Sequence, residues 1–299
     1  MKLLITGAWQ CTSEQLNKIK LMGHSIVFMQ NEADNLPCSY EEVEGTICNG
    51  LFLHHPIEKF TSLKYIQLTS AGFDRVPMNY VKEKGIVIHN ARGVYSVPMA
   101  EFAISGVLQL YKQSRDFYEQ QKAHTWNKRR GLLELFGKTV CIVGCGNVGT
   151  ECAKRFQAFG CEVVGVDVYP REDKFYKQIY PLEKFDACLP QADIVILTLP
   201  LTEATRGMMN EHRLSMMKDG SVLVNIARGA IVEEEALINT LESRLSGAVL
   251  DVFEEEPLRA DNLLWEKNNV IITPHSSFVG DGNAERLERV ILESLILNS

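Results

Sequence analysis

Three ionisable residues, Arg228, Glu256 and His275, lie just past successive apolar runs in the second half of the chain. Arg228 follows the run that ends at Ile226, Glu256 closes the acidic stretch after Leu250, and His275 follows Ile272. Their types suit reduction of a ketone by hydride transfer. That reaction asks the protein for a cation to hold a substrate anion, a proton donor for the carbonyl oxygen, and a group that keeps the donor charged. A guanidinium grips a carboxylate through two N–H groups and polarises an adjacent carbonyl. An imidazole gives and retrieves a proton near neutral pH. A glutamate paired with it favours the protonated ring and fixes its tautomer. Each residue also has an ordinary reading, as a surface or structural group. Their joint placement behind a nucleotide fingerprint decides between the two.

That fingerprint is Gly144, Gly146 and Gly149 at G-x-G-x-x-G spacing. The apolar run Val140–Val143 precedes it, and a helical stretch from Glu151 to Phe159 closes at Gly160. Strand, glycine turn and helix set backbone N–H groups at a helix N-terminus against a pyrophosphate. Gly144 permits the tight turn, Gly146 admits the phosphates and Gly149 lets helix and strand pack closely. The next apolar run ends at Asp167, where a carboxylate accepts from ribose hydroxyls and repels a 2′-phosphate. NAD is therefore expected over NADP.

Further strands are expected at Ile194–Leu199, Ser221–Ile226, Gly247–Leu250 and Val270–Thr273. In a doubly wound sheet their carboxyl ends converge on the cofactor crevice, which brings Arg228, Glu256 and His275 together. A long helix is expected from Val97 to about Gln121, apolar around much of its girth, as if several elements or a second subunit cover it. Trp126 and the basic run Lys128–Arg130 read as a solvated connection.

The first part of the chain alternates strands and helices with no nucleotide fingerprint. Strands are expected at Lys2–Thr6, Ser25–Met29, Thr46–Cys48, Tyr65–Thr69 and Ile86–His89. Thr12 and Gln15 have the spacing of a capping box that opens a helix ending at Gly23, and Val76–Lys84 reads as a helix ended by Gly85. The alternation argues a parallel α/β sheet. The turn Ser70–Asp74 offers the N–H groups of Ala71 and Gly72 to an anion. It reads also as a tight βα turn with Asp74 capping a helix, and taken alone this second reading is the commoner. His54 and His55 are expected at the surface or a hinge.

The chain has 299 residues, enough for two domains, and a net charge of -7. Such a balance gives no general attraction to nucleic acid or an anionic membrane. No apolar stretch reaches bilayer length. The eight cysteines show no metal-type spacing and fit reduced thiols in a cytoplasmic protein.

Taken together, Gly144–Gly149 with Asp167, Asn225–Gly229, Asp251–Pro257 and Thr273–His275 resemble the D-isomer-specific 2-hydroxyacid dehydrogenases, a group that includes phosphoglycerate, D-lactate and glyoxylate/hydroxypyruvate dehydrogenases. Ser70–Asp74 and Met99–Glu101 add weaker support. The resemblance implies an α/β chain of two doubly wound parallel-sheet domains: a flavodoxin-like substrate domain over 1–93 with 277–299, and an inserted Rossmann NAD-binding domain over 94–276. It implies that Arg228 binds the carboxylate and carbonyl of a 2-oxo acid, that His275 is the general acid/base with Glu256 its partner, and that Ala71 and Gly72 hold the substrate carboxylate. With the strand ends it makes Gly144, Gly146, Asn147, Val148, Gly149, Asp167, Leu199, Pro200, Thr205, Ile226, Ala227, Arg228, Asp251 and His275 the candidate cofactor contacts. It also implies a homodimer joined through the NAD-binding domain. Ser276 and Ser277 depart from the usual residues after the histidine, and the chain ends earlier than many members. The expected reaction is NAD-dependent interconversion of a 2-oxo acid and a D-2-hydroxy acid. The alternative is an NAD(H)-sensing interaction protein on the same scaffold, since fold does not fix function.

Overall fold

The computed structural model describes residues 1–298, which divide into two compact units, Met1–Tyr95 with 280–298, and 96–279. The first unit is built on β1 (Lys2–Thr6), α1 (Ser13–Leu21), β2 (Ser25–Met29), β3 (Gly45–Cys48), α2 (Leu51–His54), β4 (Tyr65–Leu68), α3 (Met78–Lys84) and β5 (Val87–His89). Its strands form one parallel sheet in the order β2-β1-β3-β4-β5, the flavodoxin-like arrangement. Both faces of the interior strand β1 are covered, so Leu3, Leu4 and Ile5 are all fully buried and the strand reads as one apolar run. The chain's last helix, Asn283–Leu297, packs Leu287, Ile291 and Leu295 against Leu3, Ile5 and Ile19.

Local chemistry explains where the elements begin. The capping box forms as the spacing predicts: Thr12 Oγ1 accepts from the Gln15 N–H at 3.3 Å, and Gln15 Oε1 accepts from the Thr12 N–H at 2.7 Å. α3 ends on Gly85, left-handed at φ 65°. It begins at Met78 with Pro77 as its cap residue, so Asp74 does not cap it.

The second unit holds α4 (Ser96–Tyr111), α5 (Ser114–Lys122), β6 (Thr139–Val143), α6 (Asn147–Ala158), β7 (Glu162–Asp167), β8 (Gln178–Pro181), α7 (Phe185–Cys188), β9 (Ile194–Leu197), α8 (Glu211–Met216), β10 (Val222–Asn225), α9 (Glu234–Ser243), β11 (Gly247–Leu250) and β12 (Val270–Ile272). All seven strands are parallel, in the order β12-β11-β10-β9-β6-β7-β8. Counted from β6, this is the Rossmann order extended by one strand.

Two expectations change here. The sequence contains a further edge strand, β8, paired to β7. The helix expected to run from Val97 to about Gln121 is broken after Tyr111, where Gln113 is left-handed at φ 51°. The Leu133 N–H donates to the Tyr111 carbonyl at 3.1 Å and Lys112 Nζ donates to the Leu133 carbonyl at 2.7 Å, so a distant loop takes the place of the next helical turn. α4 lies against its own sheet: a Cβ on Gly106 would come within 2.5 Å of Val249 Cγ1. No helix among the described residues is long and apolar enough to cross a membrane.

Phe156 on α6 is fully buried among Ala100, Ala103, Val140 and Val163. Phe156→Ala is expected to cost about 3–5 kcal/mol, read as an earlier urea midpoint for this unit's transition. An unshifted midpoint would mean that α6 is not seated on the sheet.

Candidate active site

A parallel sheet gathers the carboxyl ends of its strands at one edge, and in the second unit Asp167, Arg228, Glu256 and His275 all follow or close strands there. At the end of β6, Gly144 has φ 94°, and a Cβ on it would lie 2.8 Å from the Leu199 backbone nitrogen beyond β9. A Cβ on Gly149 would lie 2.2 Å from the Gly144 carbonyl oxygen, so only glycine lets α6 approach the turn. Gly146 differs. A Cβ there would meet no protein atom within 4 Å, so open space lies over the loop. Asn147 and Val148 open α6, directing its first N–H groups and the positive end of its dipole toward that space.

The Cys145 peptide between the glycines is gripped from both sides. Its N–H donates to Asp167 Oδ2 at 2.6 Å, and its carbonyl accepts from Arg171 Nη2. Asp167 Oδ1 accepts from the Tyr169 N–H at 2.9 Å. Burial pushes the Cys145 thiol up to about 12, so the side chain stays neutral and serves as packing. Leu199 is buried, Pro200 is exposed, and the Pro200 carbonyl accepts from Thr205 Oγ1 at 2.8 Å, which closes the turn after β9.

Arg228, Asp251 and His275 follow three adjacent strands, β10, β11 and β12. Asn225 shapes the first turn, its side chain accepting from the Ala227 N–H at 3.1 Å and donating to the Arg228 carbonyl at 3.0 Å. Ile226 and Ala227 are buried below it, and Arg228 Nη1 donates to the Ala227 carbonyl at 2.8 Å. Gly229 is where this turn meets the next: a Cβ there would fall 1.8 Å from the Phe253 carbonyl carbon. That approach sets the turn bearing Arg228 against the loop bearing Glu256.

His275 Nδ1 lies 2.8 Å from Glu256 Oε2, and Glu256 Oε1 accepts from the Phe253 N–H at 3.0 Å. With the carboxylate accepting at Nδ1, the other ring nitrogen, Nε2, is the one able to exchange protons with a ligand. Asp251, fully buried, holds the loop that carries the ring. Its Oδ1 accepts from Thr273 Oγ1 at 2.7 Å and from the Ser276 N–H at 2.8 Å, while Oδ2 accepts from the Ser277 N–H at 2.9 Å. Its backbone carbonyl takes the His275 N–H at 2.9 Å, and His275 itself is left-handed at φ 50°. The carboxylate of Asp251 thus meets the site through this loop. The partner atoms of the two serines are main-chain N–H groups, a role that residue type does not reveal.

A model of the D-isomer specific 2-hydroxyacid dehydrogenase, NAD binding domain, matches residues 104–277. The chain belongs to the D-isomer specific 2-hydroxyacid dehydrogenase family. It is 33% identical over 243 residues to the (S)-sulfolactate dehydrogenase of Chromohalobacter salexigens, covering 80% of this chain and 78% of that protein. It is 35% identical over 222 residues to the D-3-phosphoglycerate dehydrogenase of Methanocaldococcus jannaschii, covering 73% of this chain but 42% of that protein. The match therefore spans less than half the length of that relative. Among solved structures, the D-lactate dehydrogenase of Aquifex aeolicus, in complex with NAD and lactic acid, superposes with a TM-score of 0.78 at 28% identity, covering 99% of this chain and 96% of that one.

The second unit of this dehydrogenase-family chain is an NAD-binding domain, and its residues fit the dinucleotide: open space over Gly146, a helix N-terminus beside it, and a carboxylate at the end of β7. In the first unit, the turn after β4 holds Ala71 and Gly72. Their carbonyls are tied down, that of Ala71 by Asn90 Nδ2 at 2.5 Å and that of Gly72 by Ser70 Oγ at 3.2 Å, and Tyr95 donates to the Thr69 carbonyl. Neither Ala71 N–H nor Gly72 N–H donates to an acceptor among the described residues. The structure also corrects the reading of His55. It is buried, with Nε2 on the Glu32 carbonyl at 2.9 Å and Nδ1 on the Tyr40 hydroxyl at 2.9 Å. His54 is exposed.

The open space at Gly146 generates a test. Gly146→Ala is expected to melt as the native protein does yet bind NADH about tenfold more weakly, because the methyl group displaces phosphate from its N–H donors. Calorimetric titration beside a thermal melt reads both quantities. Undiminished NADH affinity would place the phosphates elsewhere.

Proposed function

We propose that this protein is an NAD-dependent oxidoreductase interconverting a 2-oxo acid and a D-2-hydroxy acid. The observation that carries the proposal is the 2.8 Å contact between His275 Nδ1 and Glu256 Oε2, on a loop anchored next to the strand end that bears Arg228. NAD, when bound, supplies or accepts the hydride. The chain's own residues do the rest. Arg228 binds the substrate carboxylate and draws electron density from the carbonyl oxygen. His275 gives a proton from Nε2 to that oxygen in reduction and takes it back in oxidation. Glu256 holds the Nδ1 proton, so the ring keeps its orientation and its positive charge is balanced. The N–H groups of Ala71 and Gly72 bind the carboxylate, as two such donors in a tied-down turn are suited to do.

Gly144, Gly146, Asn147, Val148 and Gly149 take the pyrophosphate, and Asp167 takes the adenosine ribose hydroxyls. Leu199, Pro200, Thr205, Ile226, Ala227, Arg228, Asp251 and His275 line the remainder of the cofactor site, Asp251 by way of the loop it holds. The active protein is a homodimer joined through the NAD-binding unit, a reading supported by the exposed Tyr118, Trp126 and Phe136 on that unit. The relatives differ at the substrate's far end: some are named for glyoxylate and hydroxypyruvate, others for phosphoglycerate and sulfolactate.

His275→Ala is expected to lower kcat by roughly a thousandfold while NADH still binds, as followed by fluorescence titration beside the turnover assay. A folded variant that has lost NADH binding would put His275 in the cofactor site instead. Asp167 predicts a second outcome, namely kcat/KM with NADH above that with NADPH. Asp167→Ser should narrow the gap, and a native preference for NADPH would refute this role.

A further inference from the structure

The sheet of the first unit changes direction between β1 and β3: β2 lies on one side of β1, and the chain then crosses to β3 on the other. In open parallel sheets, ligands enter at such a switch point, beyond the carboxyl ends of the strands. Here a side chain of the protein occupies it. Glu32, just after β2, spans the two strand ends. Its Oε1 accepts from Thr6 Oγ1 at the end of β1 and from the Asn49 N–H beyond β3, both at 2.7 Å. Its Oε2 accepts from the Gly50 N–H at 2.6 Å. All three partners donate, so both oxygens act as acceptors, as a carboxylate's do.

The placement is rigid. The main-chain carbonyl of Glu32 is held by His55, whose ring is held in turn by Tyr40. The donor Thr6 is fully buried. A Cβ on Gly50 would lie 3.3 Å from Glu32 Oε2 and 3.9 Å from Cδ of the exposed Arg75, so the carboxylate sits against Gly50 with the Arg75 stem alongside. The N–H groups that would otherwise be offered to a ligand's phosphate are taken, and a fixed negative charge stands among them.

We propose that Glu32 is a specificity-determining residue that restricts this enzyme to 2-oxo acids carrying no second anionic group. The assignment rests on the 2-oxo acid reading above and adds to it the class of the substrate's far end. A phosphate or sulfonate brought to this switch point would find its backbone donors occupied and meet like charge, which lowers affinity without touching the chemistry at the carbonyl. Glyoxylate and hydroxypyruvate, with one carboxylate each, escape that penalty.

The experiment compares kcat/KM for glyoxylate, hydroxypyruvate and phosphohydroxypyruvate in the native protein and in Glu32→Gln, which keeps the side chain's shape and removes its charge. In the native protein, phosphohydroxypyruvate should be poorer than hydroxypyruvate by on the order of tenfold or more. In Glu32→Gln the ratio of the two should rise by a similar factor, and adding Arg75→Ala to that variant should bring it down again. Ratios within one preparation do not depend on the fraction folded. A native preference for phosphohydroxypyruvate overturns the proposal with no variant needed, and so does an unchanged ratio in Glu32→Gln. Turnover of none of the three by the native protein would instead overturn the 2-oxo acid reading, and this assignment with it.

Discussion

The chemistry of the second unit depends on one buried carboxylate. Asp251 is out of contact with solvent, and a carboxylate so placed is costly unless donors surround it. The Thr273 hydroxyl and the N–H groups of Ser276 and Ser277 supply them, all from the loop after the neighbouring strand. Satisfying the charge therefore winds that loop around the end of β11. His275 is carried into a left-handed backbone conformation that few non-glycine residues adopt, and its ring is presented to Glu256. The strain at one residue is offset by charge-assisted hydrogen bonds at its neighbours. A ring held this way owes its position to the sheet, the most rigid element available.

Both units place a carboxylate at the strand ends, and the two have opposite consequences. Asp251 is turned inward and arranges the loop that carries His275. Glu32 takes three donors at a switch point and so removes them from use. The difference lies in what each acid binds: the loop after a neighbouring strand in one case, backbone donors at the strand ends in the other. The glycines mark the contrary case. Space over Gly146 and contact at Gly149 and Gly229 show backbone brought close where a ligand or another loop requires it.

Much of this was legible in the residues themselves. The fingerprint glycines, Asp167 and the buried strands follow local rules, since a tight turn, a helix start and a strand covered on both faces each need particular residue types. The features that escaped depend on partners far along the chain. β8 is a short edge strand in which Ile179 alone is buried, so it has no apolar run to announce it. The break after Tyr111 lies at no glycine or proline and is imposed by Leu133. His55 looks solvent-facing beside His54, yet its partners are 15 and 23 residues away. Asp251 suggested a cofactor contact because it follows a strand; that its oxygens are spent on Thr273, Ser276 and Ser277 follows from the pairing of β11 with β12.

The most direct test of the account is NADH oxidation followed spectrophotometrically against a panel of 2-oxo acids, glyoxylate, pyruvate and branched and aromatic members among them, with the configuration of any chiral product determined by chromatography. The account predicts sustained turnover of at least one member, and a D-hydroxy acid wherever the product is chiral. Tight NADH binding with no turnover across the panel, or a product of L configuration, would contradict it.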